Sequence, residues 1–156
     1  MAQNLLDMGF TKGDRIGFIL PNTSELTISY LAASQIGLIT TMLNPAYQLI
    51  ELEYMLQKSG VKGVVIYDSF KTLNHLNVIK QICPELETSA PGQLNSKKCP
   101  NLKHIILLNS PFEAEKKTYK GTWNFSKISE AKSAAYGNEM PYMELDDPNL
   151  ILFTVS

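Results

Sequence analysis

Short apolar segments alternate with amphipathic ones along the chain of 156 residues. Residues 38–43 are mostly apolar and partly β-branched, as expected for a buried strand. Asn44-Pro45 interrupts this segment, because the residue before a proline is disfavoured in the α region. Leu49, Leu52 and Leu56 then recur at helical spacing. The pattern therefore predicts a strand, a loop and a helix in that order.

The same alternation recurs along the rest of the chain, without the turn signals of a β-hairpin. It predicts an α/β fold, with a mostly parallel sheet of about five strands and helices on both faces. The predicted strands are residues 16–20, 38–43, 64–67, 105–108 and 150–155. Two of the predicted helices end at Phe10 and at Gly37. The other three are residues 49–59, a helix that is capped by Asp68 or Ser69 and ends at Ile82, and residues 123–135. Residues 85–101, 109–121 and 136–148 are predicted to be surface loops.

The composition excludes several classes of partner and location. A formal net charge of −1 gives no electrostatic reason to expect nucleic acid or an anionic membrane as partner. No apolar run approaches the ~20 residues of a membrane span. The first ten residues resemble neither a secretory signal nor an Arg-rich transit peptide. Taken alone, the residues would indicate a cytoplasmic chain.

Candidate chemical groups are few and scattered. Cys83 and Cys99 are the two cysteines, and their spacing favours two reduced thiols over a disulfide or a metal site. His75 and His104 are isolated, and a zinc site would need a tighter set of ligands. Paired carboxylates occur in contexts typical of solvated faces, caps and loops, and no glycine-rich phosphate motif is present. On residue chemistry alone, the chain shows a fold class and no active site.

An ordered set of short motifs nevertheless resembles a known family. The set resembles the N-terminal part of the adenylate-forming, AMP-binding acyl-CoA synthetases. Within that family, it is most similar to the mitochondrial medium-chain acyl-CoA ligases. The motifs are Gly13-Asp14-Arg15-Ile16-Gly17, Leu20-Pro21-Asn22, Asn44-Pro45-Ala46-Tyr47, Glu51-Leu52-Glu53-Tyr54, Lys80-Gln81-Ile82-Cys83-Pro84-Glu85 and Pro91-Gly92.

The resemblance implies a specific activity for a full-length protein. A medium-chain fatty acid and ATP would form an acyl-adenylate and pyrophosphate, and coenzyme A would then give the thioester. Mg²⁺ would neutralise the phosphates. The resemblance also implies a mitochondrial location. Residues 1–156 would form a partial N-terminal AMP-binding domain, truncated at both ends.

The family's phosphate loop overlaps this chain only at its start. That loop begins Phe-Thr-Ser-Gly-Thr-Thr-Gly, and Phe153-Thr154 match its first two residues. Val155 stands where serine is expected. The resemblance thus assigns one cofactor-binding residue, Thr154, at the edge of the ATP phosphate loop, and it assigns no catalytic or metal-binding residue. The glycines whose amides would approach the phosphates are absent.

These observations leave two principal hypotheses. In the first, the chain is the N-terminal fragment of an ATP-dependent fatty acid–CoA ligase, inactive alone, and the fragment binds no ATP, Mg²⁺ or coenzyme A. In the second, it is a non-catalytic short isoform that binds a protein partner, with the last predicted strand at an exposed edge. An independent nucleotide-binding module is disfavoured because no phosphate-binding glycine loop is present.

Overall fold

Six parallel strands form one sheet in the computed structural model, which describes residues 1–69, 71–109, 118–130 and 141–154. The order across the sheet is β5-β4-β3-β1-β2-β6. The strands are β1 (Arg15–Ile19), β2 (Ile39–Met42), β3 (Gly63–Tyr67), β4 (His104–Leu108), β5 (Thr122–Asn124) and β6 (Leu150–Ile151). The helices are α1 (Ala2–Asp7), α2 (Ser24–Gln35), α3 (Leu49–Ser59), α4 (His75–Ile82) and α5 (Phe125–Ser129).

Each central strand contributes alternate side chains to two separate hydrophobic cores. On β3, Val64 and Ile66 lie in the first core, whereas Val65 and Tyr67 lie in the second. This follows from the two-residue period of a strand. Helices α3 and α4 cover the first core, and α1, α2 and α5 cover the second. The predicted α/β class, the mostly parallel sheet and the helices on both faces are confirmed.

The helix caps show how local sequence sets the element boundaries. Helix α3 ends at Gly60, which adopts a left-handed conformation with φ of 60° and ψ of 36°. Glycine tolerates this conformation because it has no Cβ. The predicted end of this helix at Ser59-Gly60 is therefore confirmed.

Helix α4 begins later than the sequence predicts. Asp68 continues the sheet, since its backbone N–H donates to the Leu108 carbonyl over 2.9 Å. Asn74 is the N-cap instead, and its side chain accepts a hydrogen bond from the Asn77 N–H over 2.8 Å. The prediction of a cap at Asp68 or Ser69 is thus wrong. Phe70, placed in that helix, lies outside the described residues.

The helix predicted over residues 123–135 is also wrong in part. Trp123 belongs to β5, which pairs with β4 in the register Ile106 to Trp123. Only Phe125–Ser129 are helical, and residues 131–135 lie outside the described part of the chain. The sheet consequently has six described strands rather than about five.

The segment 85–101, predicted to be a polar surface loop, is partly buried. It begins within a 3-10 helix at Pro84–Glu87. Leu86, Leu94 and Cys99 all lie in the first core, and Cys83 and Cys99 are both free buried thiols. Of the described helices, none combines the length and the apolar character needed to span a membrane.

A buried histidine joins β4 to its neighbours. His104 is 4% exposed, and its Nδ1 accepts a hydrogen bond from Trp123 Nε1 over 3.2 Å. The ring centroid of Phe10 lies 4.8 Å away. Burial, followed by the charge of Lys62, lowers the pKa of His104 to about 4. The side chain is therefore neutral at physiological pH.

We expect the stability of the chain to depend on the protonation of His104. Since its folded pKa lies below the ordinary value of 6.5, the unfolded state binds the proton more readily. The contribution of neutral His104 to the free energy of unfolding should be fully present above pH 6.5. The free energy of unfolding should then fall by up to about 3 kcal/mol as the pH drops towards 4. Urea unfolding between pH 7.5 and 4 measures this.

The matched control is His104→Asn, which keeps an acceptor near the position of Nδ1 but does not titrate. The variant should be less stable at pH 7.5, because it loses packing on Phe10, yet its stability should vary less with pH. His75 contributes a residual dependence of the same sign, since burial lowers its pKa too. An unchanged pH dependence in His104→Asn would contradict this account.

Candidate functional site

The carboxyl ends of the parallel strands meet at one edge of the sheet, which we call the carboxyl edge. Ligands of open parallel α/β sheets bind at this edge. Its described residues are Leu20, Pro21 and Asn22 after β1, Leu43, Asn44 and Pro45 after β2, Asp68 after β3, Asn109 after β4 and Thr154 after β6.

The loop after β2 is held by its own side chains and by one from another element. Asn44 Oδ1 accepts a hydrogen bond from the Ala46 N–H over 2.9 Å, which closes a turn typical of Asn-Pro. The Gln48 N–H donates to Glu51 Oε2 over 3.1 Å and so caps the start of α3. The loop therefore has a fixed conformation directly beside the last described strand.

His75 connects this loop to the region that follows β3. The imidazole is fully buried, and its Nε2 lies 2.8 Å from the Pro45 carbonyl oxygen. Burial lowers the pKa of His75, although the hydrogen bond to Pro45 acts in the opposite direction. The neutral ring thus donates from Nε2 to the Pro45 carbonyl, and the Tyr67 backbone also acts to raise the pKa. Its role is to position the loop.

Thr154 lies just beyond β6, which pairs with β2. Asn149 fixes the start of β6: its backbone oxygen accepts from the Thr40 N–H over 2.8 Å, and its side chain accepts from Tyr30 Oη over 2.8 Å. Phe153 packs against the first core, while the Thr154 side chain is exposed. The hydroxyl is thus accessible next to the loop after β2. Val155 lies outside the described residues.

A second feature of the carboxyl edge is a cavity of ≈ 280 Å³. Its polar lining includes Glu25, Asn109 and Ser129, and Phe125 supplies an apolar wall. None of the lining residues is cationic, so the cavity suits a polar or positively charged group better than a phosphate. The structure does not bring Thr154 to this cavity.

The described carboxyl-edge residues do not form a complete phosphate-binding site. Thr154 offers a hydroxyl, but no described loop at this edge carries the consecutive glycines of a phosphate cradle. No group of three or more His, Cys, Asp or Glu side chains is placed to hold a metal ion within the ranges that the structure covers. These residues therefore do not form a phosphate-binding loop by themselves.

The sequence pattern held an overlooked signal for His75. His75, Ile79 and Ile82 follow the i, i+4, i+7 spacing of a buried helical stripe, and all three have no exposed surface. A polar residue on such a stripe needs an internal partner. That partner is the Pro45 carbonyl oxygen in the loop after β2, and the sequence alone could not identify it.

Several known proteins resemble this chain in sequence. The family model described as "AMP-binding enzyme" matches residues 1–155. The mitochondrial medium-chain acyl-CoA ligase ACSF2 of Rattus norvegicus is 46% identical over 110 residues, which cover 70% of this chain and 18% of that protein. The Danio rerio protein of the same name is 32% identical over 157 residues, which cover 98% of this chain and 25% of that protein.

A solved structure shows the same fold. The Brucella canis acyl-CoA synthetase superposes with a TM-score of 0.67 at 22% identity, over 99% of this chain and 24% of that one. The chain thus spans about a fifth to a quarter of the length of the relatives it matches.

The positioning role of His75 can be tested by substitution. His75→Ala leaves the Pro45 carbonyl without its donor and opens a small cavity, so we expect a loss of about 2–3 kcal/mol of unfolding free energy. His75→Gln retains an N–H donor and should lose less. Urea unfolding at pH 7.5 measures both variants.

Hydrogen exchange separates this role from a general effect on the core. In His75→Ala, the amides of Ala46 and Tyr47 should exchange faster than those of β3, relative to the wild type. Equal losses of stability in the Ala and Gln variants, with no local change in exchange, would contradict the positioning role.

Proposed function

The chain belongs to the AMP-binding enzyme family, and from that premise we propose that it forms the N-terminal part of an ATP-dependent fatty acid–CoA ligase. The observation that carries the proposal is the family match over residues 1–155, which extends to the exposed Thr154. The names of the rat and zebrafish relatives support a medium-chain fatty acid as substrate and a mitochondrial location.

The proposed reaction has two steps. The fatty acid carboxylate attacks the α-phosphate of ATP, which gives an acyl-adenylate and releases pyrophosphate. The thiol of coenzyme A then attacks the acyl carbon and releases AMP. ATP, Mg²⁺ and coenzyme A would bind to the full-length protein. The described residues do not by themselves fit the phosphates or the metal ion, so no step is assigned to them.

The contribution proposed for this chain is positional. Asn149 ties β6 to Thr40 of β2 and to Tyr30 of α2, over distances of 2.8 Å in each case. His75 ties the loop after β2 to α4. A phosphate loop that starts at Phe153-Thr154 would therefore begin from a rigid point. Such a fixed start matters because a loose loop would lose the geometry that phosphoryl chemistry requires.

We expect residues 1–156 alone to form no acyl-CoA. The purified chain is incubated with octanoate, ATP, Mg²⁺ and coenzyme A, and octanoyl-CoA is measured by mass spectrometry. The full-length rat relative is the positive control. Turnover by the chain alone would overturn the expectation that the fragment is inactive.

A chimera tests the family function directly. Residues 1–154 replace the aligned segment of the zebrafish relative, whose match covers 98% of this chain, and we expect the chimera to retain octanoyl-CoA formation. The same chimera with Asn149→Ala should lose about tenfold or more in kcat, because the phosphate loop then starts from a poorly held strand. The matched control is Asn77→Ala, which changes an exposed asparagine on α4. An inactive but folded chimera would overturn the ligase proposal.

One observation favours the alternative of a partner-binding role. β6 lies at the end of the described sheet and pairs only with β2. Leu150 is 41% exposed and Leu152 is 62% exposed. An open strand edge with exposed apolar residues can accept a strand from another protein. The partner would be a full-length ligase of the same family.

Co-purification tests this alternative. If it holds, the chain should form a stable complex with the rat relative in sedimentation experiments, and Leu152→Lys should weaken that complex. A chain that sediments separately from the relative would exclude this alternative.

A further inference from the structure

The amino ends of the strands form the opposite edge of the sheet, which we call the amino edge, and three cations lie side by side there. Arg15 is the first residue of β1, while Lys62 and Lys103 directly precede β3 and β4. The Lys62 N–H donates to the Arg15 carbonyl over 2.7 Å, and the Lys103 N–H donates to the Lys62 carbonyl over 2.8 Å. The three residues therefore occupy one row across adjacent strands.

A row of like charges at this spacing is unfavourable without compensation. Adjacent strands lie about 4.8 Å apart, and like charges directly opposite each other destabilise a sheet. Their side chains line a common pocket of ≈ 260 Å³, together with Gly13, Gly60 and Pro100.

Among the described residues that line this pocket, Asp14 is the one carboxylate, and it is already paired with a lysine. Asp14 Oδ2 accepts hydrogen bonds from Lys62 Nζ over 2.6 Å and from the Thr11 N–H over 2.8 Å. Burial would raise the pKa of Asp14, but the bonds from Lys62 and Thr11 outweigh it and hold that pKa below its ordinary value. Asp14 is thus a full anion paired with Lys62.

Arg15 and Lys103 lack such a partner. No residue that the structure describes forms an ion pair or a hydrogen bond with either side chain. The negative dipole end of α3 at Gly60 offsets part of the Arg15 charge. The three cations and the one carboxylate together give the pocket a net charge of about +2.

Hydrogen-bond donors converge in the same place. A Cβ on Gly60 would lie 3.1 Å from a terminal nitrogen of Arg15 and 3.3 Å from Asn101 Nδ2. Both groups therefore lie over the α-carbon of Gly60. A guanidinium offers the fork of N–H groups that matches a phosphate, and a carboxamide adds a neutral donor.

We propose that the amino-edge pocket binds a phosphate group, held by Arg15, Lys103 and the carboxamide of Asn101 beside the Lys62–Asp14 ion pair. The group belongs either to a free phosphate or to a phosphorylated small molecule. The proposal does not depend on the ligase function, because it rests on the edge of the sheet opposite to Thr154.

The test uses the complete chain, labelled with ¹⁵N and titrated at constant ionic strength with inorganic phosphate, pyrophosphate or glycerol 3-phosphate. We expect saturable shifts of the amide resonances of Gly13, Gly60 and Asn101. The melting temperature should rise by about 3 °C at ten times the Kd. A free phosphate is indicated if inorganic phosphate binds as tightly as the monoester, and a phosphorylated small molecule if the monoester binds more tightly.

Charge-matched variants decide whether binding is specific. R15Q/K103Q should bind at least tenfold more weakly, whereas K97Q/K120Q, which removes two exposed charges elsewhere, should bind like the wild type. K103Q alone serves if the double variant fails to fold, as checked by circular dichroism. Absence of saturable shifts in the wild type, or equal affinity in R15Q/K103Q, would overturn the proposal.

Discussion

Burial of the central strands on both faces is the constraint on which the rest of the structure depends. Val64 and Val65 are neighbours on β3, yet they lie in different cores and neither is exposed. A strand of this kind needs a helical layer on each side, and chain connections long enough to supply those helices produce parallel pairing. The segments that cover the sheet also pack closely on it, since a Cβ on Gly63 would lie 2.6 Å from the ring of Phe10.

Because the strands are parallel, the loops that follow them lie at the carboxyl edge, and the charged residues that precede them lie at the amino edge. At the carboxyl edge, loops leave the sheet, and the buried ring of His75 ties the loop after β2 to α4. At the amino edge, the residues just before or at the strand starts fall into one row, which gathers Arg15, Lys62 and Lys103. The same register therefore produces a set of positioned loops at one end and a concentration of charge at the other.

The parts of the fold that local sequence could predict are those whose causes are local. The helix 49–59 and its end at Gly60 follow from apolar spacing and from the left-handed preference of glycine. β5 is not predictable from local sequence, because its three residues are only half-buried and its strand character comes from pairing with β4. The predicted cap at Asp68 is wrong because the backbone hydrogen bond from Asp68 to Leu108 is a tertiary contact.

The candidate site was harder to predict than the fold, for a related physical reason. A site at the carboxyl edge combines loops from several strands, so no single segment of sequence contains its geometry. Thr154 comes from the family resemblance alone, and its place at the edge of a phosphate loop stays a prediction, although its side chain is exposed. His75 has no comparable motif, because its function is to hold another loop rather than to touch a ligand. Positioning residues of this kind become visible only when burial and hydrogen bonding are considered together, since a fully buried polar ring must be explained by its partner.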